Sequence, residues 1–210
     1  VSQETGGDNR NTTRDIALKI RDSGMPEEAF WETLFDVDEI VDAFGWTGTD
    51  EPRDRHAIEF GCGYGSFTAA LKDVFRGRLD CFELEPEMIC RTKARIPEGC
   101  STVHFHALDF LAEPWPSESR GAEVAILFHM LHLDDPLSLL RRVSEHLAPG
   151  GTLAVLHWRS DRETPRGPAM NTRPTLADLE HWADELNARS LTTLNLTRSP
   201  HHFAASIELP

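Results

Sequence analysis

Apolar positions along the chain follow two periods. The stretches 56–60, 78–84, 102–107, 122–128 and 152–158 read as strands, the third alternating Val103 and Phe105 on one side and the fourth nearly continuous in apolar residues. Helical spacing separates them. Phe67, Leu71 and Val74 share one face, Glu85-Pro86 opens a second helix, and Leu140, Val143 and Leu147 mark a third, which Ala148-Pro-Gly-Gly151 closes. Strand and helix in alternation predict an α/β fold with a mostly parallel sheet. Ahead of the first strand, Phe30, Leu34, Val37, Val41 and Phe44 step by four and three, which predicts one helix over 26–45, widened by Trp31 and Phe35 and stopped at Gly45. Residues 1–24 are polar, with a weak helical pattern over 13–23, and read as a flexible or lid-like segment; 25–210 reads as a single domain. At the far end, Leu176, Leu179, Trp182, Ala183 and Leu186 predict a last helix. Runs at 191–196 and 203–209 predict a hairpin-like strand pair that puts an antiparallel member at the sheet edge.

Composition narrows the class. In 210 residues, 40% hydrophobic and 27% charged, there is enough apolar material for one sizeable core. The formal net charge of -14 argues against the nucleic-acid backbone as a partner. No run reaches the length of a membrane span. Cys62, Cys81, Cys90 and Cys100 have no short paired spacing and no leader precedes them, so reduced thiols and a cytoplasmic location are expected. Oligomeric state is not written in any of this.

The densest chemistry lies at Glu59-x-Gly61-x-Gly63-x-Gly65, between the first strand and the helix of Phe67. Glycines let such a turn be sharp and let its backbone lie against a ligand. Ser66 stands where a dinucleotide site wants a third small Gly or Ala, and no Gly-Lys-Ser/Thr triplet follows to cradle a phosphate. A carboxylate beside the turn repels pyrophosphate and suits an ammonium-bearing ligand. The segment resembles the first motif of the class I S-adenosylmethionine-dependent methyltransferases. Residues 82–89, with Glu83 about 20 residues past the glycines, resemble the second motif. The strand–helix–Leu-x-Pro-Gly-Gly–strand order extends the likeness over about 54–160.

The resemblance implies a Rossmann-like, doubly wound, mostly parallel seven-stranded sheet. It implies S-adenosyl-L-methionine as cofactor, S-adenosyl-L-homocysteine as product, and in-line methyl transfer to a small molecule. Glu59, Gly61, Cys62, Gly63, Gly65, Glu83, Leu84, Asp109, Phe110 and His129 would then hold the cofactor, with Glu83 on the ribose, Asp109 on the adenine amine and Phe110 beside the ring. Asp109 serves equally well as a cap on its following turn, and Glu85 and Glu87 read as surface acids.

For the acceptor, His129 and His157 end neighbouring strands and are the catalytic candidates, orienting a carboxylate or acting as a base; closing the strand tops through backbone hydrogen bonds is the competing account. Trp31, Phe35, His132, Trp158 and Arg166 are the substrate candidates. Arg166 is one of four arginines in 159–173, a Pro-rich loop whose forks suit a small anion, though surface arginines balancing local acids explain them as well. His129, His132, Asp134 and Asp135 match no metal spacing, so no metal is expected. His201 and His202 read as turn residues of little consequence. Three other readings stay open: a NAD-dependent oxidoreductase, a binding protein without chemistry, and an S-adenosylmethionine enzyme that transfers the aminocarboxypropyl group or cyclises its substrate.

Overall fold

The computed structural model describes residues 26–48 and 54–210. The expected lid over 1–24 and the pattern over 13–23 lie outside the described residues. The chain divides into two compact units, Val1–Thr33 and Leu34–Pro210. In the first, α1 (Glu28–Trp31) is a single turn whose Phe30 and Trp31 N–H groups donate to the Glu27 carbonyl.

The one helix expected over 26–45 is in fact two, because α2 (Val37–Ala43) starts afresh at Asp36. Asp36 is extended, at φ -107° and ψ 107°, and its carboxylate accepts the Glu39 N–H at 2.8 Å. A side chain that caps a helix supplies an acceptor its first turn lacks, so it begins one wherever it stands. Apolar spacing passes across such a break unchanged.

The second unit holds a seven-stranded sheet in the order β3-β2-β1-β4-β5-β7-β6. Its strands are β1 (His56–Phe60), β2 (Arg78–Glu83), β3 (Val103–Ala107), β4 (Ala122–Phe128), β5 (Leu147–Trp158), β6 (Ser190–Leu194) and β7 (His202–Glu208). The first five run parallel, and β7 enters antiparallel between β5 and β6. Helices α3 (Thr68–Val74), α4 (Pro86–Ala94) and α5 (Pro136–His146) are the crossovers, and α6 (Leu176–Glu185) leads into the final pair. This is the Rossmann-like arrangement. Ile126 and Leu127 in β4 and Leu153 in β5 are wholly buried, each contributing roughly 1.5–3 kcal/mol.

The Pro-Gly-Gly stretch was expected to close a helix that included Leu147. Helix α5 instead ends at His146, and Leu147, at ψ 165°, already pairs with Ala122 as the first residue of β5. The next registered pair is Val124 with Thr152, so Ala148–Gly151 bulges out of the ladder. Pro149 has no N–H to extend a helix, and the Gly150 N–H finds the Pro210 carbonyl at 2.8 Å.

Strand order reverses between β1 and β4, whose neighbours on either side lead away in opposite directions. A crevice opens at such a point, outside the carboxyl ends of the strands. Phe60, Glu83, Phe128 and Trp158 end their strands at that edge, and β7, running the other way, starts there with His202 opposite Trp158.

Candidate active site

The turn after β1 takes three left-handed residues, Gly61 at φ 74°, Gly63 at 53° and Gly65 at 78°, a conformation that costs other residues roughly 1–2 kcal/mol each. Neighbours also crowd it. A β-carbon on Gly61 would stand 2.9 Å from Met130 Sδ, and one on Gly65 would stand 2.9 Å from the Thr92 Cα. Thr92 Oγ1 donates to the Gly63 carbonyl at 2.8 Å. The turn is thus wedged between α4 and the segment that leaves β4.

Two carboxylates serve this turn in different ways. Glu83 ends β2 and accepts the Gly63 N–H on Oε2 and the Glu85 N–H on Oε1, each at 3.0 Å. A carboxylate has about four lone-pair sites, so an acceptor site remains on each oxygen, the pattern that a ribose diol requires. Glu59 lies beneath the turn, where Oε2 accepts Thr68 Oγ1–H at 2.7 Å and Cys81 Sγ–H at 3.4 Å. Burial pushes its carboxyl up to about 7, against the lowering pull of those two donors.

The other expected cofactor contacts are placed as follows. Cys62 is buried within the turn, its thiol pushed up by burial and by the charges of Glu59 and Glu83. Leu84 is half-buried directly after Glu83. Asp109, also half-buried, accepts the Leu111 N–H on Oδ1 at 3.0 Å, a turn cap. Phe110 is buried edge-on to Phe60 at 5.4 Å between ring centroids.

Beside the turn stands a box of rings. Phe67, two residues past Gly65, stacks on Phe35 at 4.9 Å. His129 follows β4 and lies 6.0 Å from Phe35, 5.6 Å from Trp158 and 4.9 Å from His202. Trp158 and His202 are 4.2 Å apart. His129 is also a left-handed non-glycine residue, at φ 61°. Residues held this way gather at active sites and ligand clamps, where surrounding structure over-determines them. Burial drives His129 well below its ordinary pKa and carries His157 and His202 down to about 3, so the box is uncharged at neutral pH.

The sequence pairs His157 with His129 across the cleft. Their rings are 6.4 Å apart, and the hydrogen-bonding partner of His157 Nε2 is His132 Nδ1 at 3.4 Å. Trp31 ends α1 in the first unit. In the 159–173 loop the buried arginine is Arg173, not Arg166. Its guanidinium donates to the carbonyls of Pro168, Arg159 and Arg166 at 2.9, 2.8 and 3.4 Å, so it shapes the loop from inside. Arg159 is engaged by Asp161, and Arg166 is exposed. The loop lies over the indole of Trp158, where a β-carbon on Gly167 would come within 2.8 Å. Asp135, weighed as a metal ligand, caps α5 by accepting the Ser138 N–H. Among the described residues no group of three or more His, Cys, Asp or Glu is placed to hold a metal ion. No helix among them is long and apolar enough to cross a membrane.

Sequence reasoning missed His202 and Glu39. His202 is 2% exposed and opens β7 on the same strand face as buried Ala204. Strand alternation carried one residue further back would have found it. Glu39 accepts three hydrogens from Thr197 and Arg198, a pairing more than 150 residues apart that has no local signal.

The methyltransferase-domain family matches residues 30–201, and the chain belongs to it. Among solved structures, an S-adenosylmethionine-dependent methyltransferase from Aquifex aeolicus superposes with a TM-score of 0.68 at 16% identity, over 92% of this chain and 98% of its own. The N-methyltransferase NodS from Bradyrhizobium japonicum, in complex with S-adenosyl-L-homocysteine, gives 0.67 at 16% over 93% and 97%. Two curated relatives are similar in sequence. The O-methyltransferase cnsE of Penicillium expansum is 26% identical over 55% of this chain and 42% of its own length. The trans-aconitate 2-methyltransferase of Sinorhizobium medicae is 31% identical over 49% and 38%. The chain thus spans about two-fifths of the length of these curated relatives.

Proposed function

We propose that the protein binds S-adenosyl-L-methionine at the glycine turn and transfers its methyl group to a small molecule seated against the ring box. The observation that carries this reading is Glu83, which clamps the turn through the Gly63 N–H and keeps an acceptor site on each oxygen. When bound, the cofactor supplies a methyl group activated by a sulfonium, which passes to the acceptor as the carbon–sulfur bond breaks onto sulfur. The chain's own part is placement. Gly61, Gly63 and Gly65 let backbone approach the ligand, Glu83 takes the ribose hydroxyls, and the Phe35, Phe67 and Trp158 rings exclude water from the reacting end. His129, fixed beside Met130 at the turn, faces the acceptor. The names of the curated relatives, an O-methyltransferase and an enzyme of trans-aconitate, support a small acceptor, as does the net charge of -14.

Calorimetry with S-adenosyl-L-methionine and S-adenosyl-L-homocysteine tests the first half. Both should bind, and Glu83→Gln should weaken both. Mass analysis of a responding acceptor should show the gain of one methyl. Failure to bind either ligand removes the reading, and transfer of an aminocarboxypropyl group would replace the chemistry while keeping the site.

A further inference from the structure

We propose that His202 hydrogen-bonds the acceptor, and that the acceptor's reacting end is an uncharged hydroxyl on a flat unsaturated or aromatic frame. This rests on the methyltransferase reading and deepens it by naming the substrate class.

The first observation is the imidazole itself. His202 is 2% exposed, and neither Nδ1 nor Nε2 has a hydrogen-bond partner among the described residues. A buried donor or acceptor left unmatched costs the full desolvation of that group, so two on one ring call for a reason. Packing alone supplies none, since a phenyl ring would fill the same position among Trp158, His129 and Phe35 with no polar atom to satisfy.

The second is location. The rings around His202 are those that flank the glycine turn. Phe35 stacks on Phe67, and His129 precedes Met130, whose sulfur lies against Gly61. A molecule that reaches His202 is therefore beside the proposed cofactor site.

The third is charge. His129, His157 and His202 are all held neutral by burial. The charges that bear on His202 come from His201 and Arg173, and Arg173 spends Nε and both terminal nitrogens on loop carbonyls. With Arg173 so engaged, a carboxylate in the box would depend on the cofactor's sulfonium to offset its desolvation. A neutral imidazole instead offers one N–H and one lone pair; the lone pair accepts the hydroxyl hydrogen and takes that proton as the oxygen bonds the methyl carbon and the carbon–sulfur bond breaks onto sulfur. Walls of Phe, Trp and imidazole favour a flat π frame to carry that hydroxyl.

The test uses the full chain saturated with S-adenosyl-L-homocysteine and labelled with ¹⁵N at histidine, with the His202 ring assigned through His202→Gln. The probes are 1-naphthol and catechol against benzoate and trans-aconitate. The hydroxyarenes should shift the His202 ring nitrogens and the carboxylates should not. With S-adenosyl-L-methionine, the responding hydroxyarene should lose about tenfold or more in kcat/KM in His202→Phe, the loss of one hydrogen bond. Cofactor affinity should stay within about twofold, and His202→Gln, which keeps a donor and an acceptor, should fall between. A His202 ring silent to both hydroxyarenes, a response to carboxylates alone, or wild-type kcat/KM in His202→Phe each overturns the proposal. Absence of S-adenosyl-L-homocysteine binding sinks the methyltransferase reading and this one with it; binding with a silent His202 sinks this one alone.

Discussion

Glu59, one residue before the end of β1, and Glu83, at the end of β2, serve the same turn, yet their partners give them different work. Glu83 keeps two backbone donors, the N–H groups of Gly63 and Glu85. Glu83→Ala should cost about 1.5–3 kcal/mol of cofactor affinity, the range for hydrogen bonds to a charged group, read by calorimetry in a variant that melts as a folded protein. Glu59 is raised to about 7 from 4.5, so the folded chain holds a proton that the unfolded chain releases between those values. Its contribution to stability is therefore greatest below pH 4.5 and declines as pH rises to about 7. Glu59→Gln keeps an acceptor for Thr68 and removes the penalty. In urea melts without cofactor, the variant should gain on wild type by up to about 3 kcal/mol between pH 4 and pH 8. His129 stores strain at φ 61°. Asn tolerates that conformation, so His129→Asn should keep stability within about 1 kcal/mol while lowering turnover. An equal loss of both would make the ring structural.

Helix α2 is fastened to the connection between β6 and β7. Glu39 Oε1 accepts Thr197 N–H, Thr197 Oγ1–H and Arg198 N–H at 2.5, 2.9 and 2.7 Å, and the Asp36 N–H donates to Ser199 Oγ. That latch sets two walls of the ring box, since Phe35 precedes Asp36 and His202 follows Ser199. Burial alone would raise the Glu39 carboxyl, but the Arg198 and Thr197 donors outweigh it and hold it at about 2. Its contribution is present above pH 4.5 and is lost as pH falls toward 2. Glu39→Ala should destabilise by about 1.5–3 kcal/mol at neutral pH, measured by urea denaturation. It should also raise the acceptor's KM while cofactor affinity holds.

Across the whole molecule, the buried histidines add to the loss of stability in acid. His157 and His202 fall from 6.5 to about 3 in the folded chain, so below pH 6.5 the unfolded chain binds protons that the native state refuses. Stability from this source is complete above 6.5 and is lost progressively as pH drops toward 3, opposite in sign to Glu59 over the range they share. The melting temperature of wild type should therefore fall between pH 7 and pH 4, and His202→Phe should fall less steeply. Parallel melting curves for the two proteins would show that His202 takes no part.

Much of this protein is local and therefore legible in the chain itself. The apolar runs of β1, β2, β4 and β5, the glycines after β1 and the acid that ends β2 follow from pattern and backbone chemistry within a few residues. With the family likeness, that was enough to place the sheet and the crevice where its strand order reverses. The start of α2 at Asp36 and the strand that begins at Leu147 were misread because apolar spacing does not register a cap or a bulge. The ring box could not be read at all from one stretch. Phe35, Phe67, His129, Trp158 and His202 come from five segments, and only the reversal at β7 brings His202 opposite Trp158. Which histidines are buried and neutral, and which arginine turns inward to hold a loop, were decided by the same event. Desolvation and hydrogen-bond partners exist only once distant segments have packed.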